Sequence, residues 1–66
     1  MSSEIWFIQN DNDEPLRAFM TKHEAEHELE NLVSEEERHF SLYSIEVDDI
    51  DDYPEEMAVA TEEGLV

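Results

Sequence analysis

Glu4-Ile5-Trp6-Phe7-Ile8-Gln9 is the stretch that decides the fold. Its four consecutive apolar residues are aromatic or β-branched and suit a strand, and Asn10-Asp11-Asn12-Asp13 ends the run with residues that turn a chain. Side chains alternate along a strand, so Ile5 and Phe7 point to one face while Trp6 and Ile8 point to the other. A strand that is apolar on both faces belongs at the centre of a sheet covered on both sides.

The neighbouring sequence supplies the partners for that strand. After Pro15, Leu16-Arg17-Ala18-Phe19-Met20 reads as a second strand, with Asn and Asp in the preceding loop able to take the left-handed conformations that hairpins need. Thr21 followed by Glu24 is a capping-box pattern, and Ala25, Leu29, Leu32 and Val33 recur at helical spacing. They predict a helix from about Lys22 to Val33 with those four residues on its core face. From His39 to Val47, Phe40, Leu42, Tyr43, Ile45 and Val47 are interleaved with Ser41, Ser44 and Glu46, which predicts a third strand. A right-handed crossover passing over strand one then gives an α+β fold. It is a ββαβ domain whose three-stranded antiparallel sheet has the order 2-1-3.

One helix covers one face of such a sheet, so something else must cover the other. One candidate is the C-terminal segment, where Pro54 suits a first helical turn, Met57-Ala58-Val59-Ala60 is apolar and Gly64 can end a short helix. The other is a second subunit, making a homodimer. The composition divides the chain into a core of residues 1–47 and an acidic arm of residues 48–66, either part of the same domain or partly disordered.

Charge excludes more than it assigns. Twenty Asp and Glu face only Arg17, Lys22 and Arg38, for a net charge of −17 on 66 residues. No basic patch can form from three cations, so direct nucleic-acid binding is excluded. With no cysteine there is neither a disulfide framework nor a thiolate zinc site, which favours a reducing compartment. The first residues lack the features of a signal peptide and no apolar run approaches a membrane span, so a soluble cytoplasmic protein without a membrane partner is expected. Gly64 is the sole glycine, which rules out a glycine-rich phosphate loop, and no serine sits in a nucleophile elbow. Asp11-Asn12-Asp13 and Asp48 to Asp52 lack the glycine and closing Glu of a calcium loop. No cofactor is expected.

His23-Glu24-Ala25-Glu26-His27 matches the HExxH pattern and is similar to the zincin metalloprotease signature. That resemblance implies His23 and His27 as zinc ligands and Glu24 as general base. The helical pattern opposes it: both histidines fall on the side away from Ala25, Leu29, Leu32 and Val33, where no cleft forms around an open metal position. The residues downstream, Glu28-Leu29-Glu30-Asn31, hold neither the glycine nor the third histidine of the extended form. The expectation is no catalytic residue and no resident metal, with opportunistic metal binding the most that His23 and His27 offer.

The carboxylates themselves are ordered. Glu24 and Glu28 form one row on the helix and Glu26 and Glu30 another, each pair separated by about 6 Å of rise. Glu35, Glu36 and Glu37 prolong the charge beyond the helix, and Asp48, Asp49, Asp51 and Asp52 form a second strip. In charge density and size, across its whole length, the chain resembles the acidic DNA-mimic inhibitors of phage and mobile elements. That resemblance implies a non-enzymatic protein that occupies the basic nucleic-acid-binding surface of a host protein, such as a polymerase, nuclease, restriction or CRISPR effector, glycosylase or nucleoid protein. The carboxylates named here would meet its Lys and Arg, and Trp6, Tyr43, Ile50 and Tyr53 are candidate apolar anchors. The alternative is an acidic adaptor that dimerises or docks through the sheet face around Trp6 and Ile8, its charge serving solubility.

Overall fold

A computed structural model describes residues 3–36 and 39–66. The elements are β1 (Glu4–Gln9), β2 (Pro15–Phe19), α1 (Lys22–Glu36), β3 (Ser41–Glu46), the 3-10 segment η1 (Val47–Asp52) and α2 (Pro54–Glu62). The sheet is antiparallel with β1 at its centre, in the expected order β2-β1-β3.

The β1–β2 turn is organised by one side chain. Asn10 Oδ1 accepts hydrogen bonds from the backbone N–H of Asn12 at 2.9 Å and of Glu14 at 3.0 Å. The Asp13 N–H closes the turn on the Asn10 carbonyl at 3.1 Å, and Asp13 then sits at φ 62°, a left-handed conformation that Asp tolerates better than most residues. The register shifts at this end of the hairpin, leaving Gln9 opposite Pro15.

Thr21 Oγ1 accepts the Glu24 N–H at 3.2 Å, which satisfies one of the free donors at the start of α1. The helix runs to Glu36, three residues beyond the expected end. Ala25 is fully buried and Leu29 and Leu32 are half-buried, but Val33 is 44% exposed and is not a core residue. At about 100° per residue Val33 lies about 80° from Ala25, at the margin of the stripe that Ala25, Leu29 and Leu32 define.

Both faces of the sheet are covered from within the chain. Ile5, Phe7, Ala18 and Ile45 share a cluster with Ile50 of η1 and Ala60 of α2, and Tyr43, Val47, Met57, Val59 and Leu65 pack against it. η1 and α2 therefore cover the Ile5/Phe7 face. Ile8 and Ala25 are also fully buried but stand outside that cluster, because α1 packs against the sheet on the Trp6/Ile8 face. Burying each of Phe7, Ile5 and Ile8 completely contributes about 1.5–3 kcal/mol.

The C-terminal half has a simple local logic. In Val47-Asp48-Asp49-Ile50-Asp51-Asp52 the apolar residues recur every third position, the period of a 3-10 helix, so Val47 and Ile50 turn inward and the aspartates outward. Pro54 opens α2. At its other end the Leu65 N–H bonds the Ala60 carbonyl at 2.9 Å and the Gly64 N–H bonds the Thr61 carbonyl at 3.1 Å, with Gly64 at φ 77°. This is the Schellman arrangement, completed by Leu65 packing on the core. Among the described residues no helix is long and apolar enough to cross a membrane.

Candidate interaction surface

The carboxylate rows of α1 face outward. Glu24, Glu26, Glu30 and Glu35 are exposed, while Glu28 is half-buried. The side chain of Glu36 and the whole of Glu37 lie outside the described residues. Two cations temper this face: Lys22 Nζ stands 3.7 Å from Glu26 and 5.6 Å from the Trp6 ring centroid, and Arg17 Nη1 stands 3.8 Å from Glu28. Like-charged Glu pairs four residues apart disfavour a helix by about 0.2–0.5 kcal/mol each. The last turn of α1 holds no basic residue to offset the negative end of the helix dipole.

Asp48, Asp49, Asp51 and Asp52 are all exposed, spread around the inward anchor Ile50. Glu55 continues the strip in the first turn of α2. No Lys or Arg occurs after residue 38, so η1 and α2 contribute no cation to this surface. Because η1 packs on the Ile5/Phe7 face and α1 on the Trp6/Ile8 face, the sheet separates the two groups of carboxylates. They form two acidic faces rather than one continuous strip.

The candidate apolar anchors divide. Tyr53 is 44% exposed and stands among the aspartates. Trp6 is half-buried beside Lys22. Ile50, at 3% exposure, belongs to the core and offers nothing to a partner. Tyr43 is also committed inward: its ring stacks on Phe7 with centroids 5.5 Å apart, and its hydroxyl donates to Glu56 Oε1 at 3.1 Å. Burial, the hydrogen bond to Glu56 and the charges of Glu56 and Glu55 together push the Tyr43 phenol well above its ordinary range.

Sequence reasoning passed over the residues that brace these faces. Arg17 is the main one. Its guanidinium grips Glu63 through Nε–Oε1 at 3.2 Å and Nη2–Oε2 at 3.3 Å, approaches Glu28 and lies over the Phe19 ring at 5.3 Å. From the edge strand β2 it ties α1 to the C-cap of α2. Arg17 was visible as one of three cations, but only the fold brings residues 46 positions apart into contact.

His23, Glu24 and His27 are exposed on α1. Among the described residues no group of three or more His, Asp or Glu side chains is arranged to hold a metal ion, and those residues enclose no pocket. Comparison with known proteins finds no matching family model, no similar curated protein and no similar solved structure.

Proposed function

We propose that this chain is a non-enzymatic inhibitor that imitates the nucleic-acid backbone and occupies the basic nucleic-acid-binding surface of another protein. One observation carries the reading. A net charge of −17 along a long axis of 34 Å amounts to one excess negative charge for about every 2 Å, close to the charge per about 1.7 Å of duplex DNA. Glu37 and Arg38 cancel, so the described residues carry the same net charge.

Two acidic faces fit that role, because a duplex also presents phosphates around its whole girth. Glu24, Glu26, Glu28, Glu30 and Glu35 supply one face, with Glu36 and Glu37 continuing the run in sequence, and Asp48, Asp49, Asp51 and Asp52 supply the other. Lys and Arg of the target pair with them and shed their own counter-anions. Association is therefore fast and weakens as salt rises. Tyr53, and Trp6 at the edge of α1, add contacts that salt does not screen. The fold's tolerance of like-charged rows on α1 supports a use for them, since stability alone would select against that pattern.

The test is affinity capture of soluble bacterial proteins on the immobilised chain, eluted in parallel by a salt gradient and by competing duplex DNA and identified by mass spectrometry. Mimicry predicts a nucleic-acid-binding protein that duplex DNA displaces and that a variant with Asp48, Asp49, Asp51 and Asp52 all changed to Asn retains poorly. Partners that survive both competitors, or that are not basic, overturn it.

A further inference from the structure

We propose that His23 and His27 chelate a divalent transition-metal ion of the zinc type on the outward side of α1, independently of any protein partner. The two residues stand one helical turn apart inside α1, and both are exposed. Cβ atoms at this spacing lie about 5–6 Å apart. Zinc–nitrogen bonds of about 2.0–2.1 Å at a tetrahedral angle need the two nitrogens about 3.3 Å apart, which imidazoles on adjacent turns reach by side-chain rotation. Neither imidazole is engaged in a side-chain hydrogen bond or ion pair with the described residues, so no such contact among them must break first.

The surroundings favour a cation. Glu26 and Glu30 flank the pair on the same side of the helix, and Glu30 is exposed. The field of a chain at −17 concentrates cations at its surface. That field draws in any cation, whereas imidazole nitrogen selects borderline metals over magnesium and calcium, which prefer oxygen. Among the described residues no third protein ligand is arranged at the site, so water fills the remaining positions. Bound metal offsets part of the charge on this face of α1 and staples its first two turns. The unfolded chain does not hold the two imidazoles in register, so binding also stabilises the fold.

The experiment is a zinc chloride titration of the full chain at about pH 7.5, followed through the imidazole resonances. A parallel titration uses magnesium chloride. The expected result is saturation at one zinc ion per chain, with the His23 and His27 resonances moving together, His39 unmoved and magnesium without effect on either ring. Changing His23→Ala and His27→Ala together should weaken zinc binding by at least about tenfold. Both positions are exposed and alanine favours helix, so that variant folds, which circular dichroism checks. Unchanged zinc affinity in the double variant overturns the chelate. So does equal displacement by magnesium, equal movement of His39, or saturation at one ion per two chains.

Discussion

At the scale of single residues, Tyr43 couples the core to the acidic surface. Its ring is stacked on Phe7 while its hydroxyl donates to Glu56, so removing that hydroxyl leaves a half-buried carboxylate short of a partner. Tyr43→Phe is expected to cost about 1 kcal/mol near neutral pH, read from the urea midpoint. The raised phenol value also has a consequence in alkali. The unfolded chain releases this proton near pH 10, the ordinary phenol value, while the folded chain still holds it. Above about pH 10 the unfolded state therefore binds fewer protons, and stability falls as pH rises. Tyr43→Phe should flatten that fall, and an unchanged alkaline slope would locate the effect elsewhere. The sequence showed Tyr43 only as a strand residue and candidate anchor, because Glu56 reaches its hydroxyl solely through the packing of α2.

At the scale of elements, α2 ends as its local chemistry dictates. Gly64 at φ 77° is required by conformation and not by space, since a Cβ there would meet nothing within 4 Å. Gly64→Ala should cost about 1–2 kcal/mol from the left-handed backbone alone, checked by the thermal midpoint. This cap was legible, as a lone glycine after an apolar run. Val33 was not. Helical spacing placed it with the core, yet at the margin of the stripe it remains 44% exposed. Val33→Lys in the last turns of α1 should therefore be stabilising by about 0.3–1 kcal/mol, through the helix dipole and nearby glutamates. A loss above about 1 kcal/mol in chemical denaturation would return Val33 to the core. The 3-10 course of η1 was present in the spacing of Val47 and Ile50, but its run of aspartates read first as an acidic strip.

At the scale of the whole molecule, charge repulsion is set against a small core. The Debye length is about 30 Å at 0.01 M salt, comparable with the 34 Å long axis, so every carboxylate then repels every other. At 0.15 M it shrinks to about 8 Å and only neighbours interact. The thermal midpoint should rise between these two salt concentrations, and a flat or falling midpoint would show that repulsion is not what limits stability. Arg17 opposes the repulsion by holding Glu63 and Glu28 together across the edge of the sheet. Arg17→Gln should cost about 1 kcal/mol at 0.15 M salt and more at 0.01 M, again from thermal midpoints.

By itself the sequence determined the antiparallel 2-1-3 sheet and the first helix with its cap, and it offered a C-terminal helix begun by Pro54 and ended at Gly64 as one of two covers for the second sheet face. Each follows from the spacing of apolar residues and from backbone preferences that act over a few positions. It also determined the density of negative charge, a property of composition. Only the tertiary structure decided which layer covers which face of β1, and therefore that the carboxylates of α1 and those of η1 lie on opposite sides of the sheet. Strand alternation establishes that two faces need cover, but it leaves open which segment covers each. That choice rests on long-range packing of Ile50 and Ala60 against Ile5 and Phe7, which no local pattern encodes.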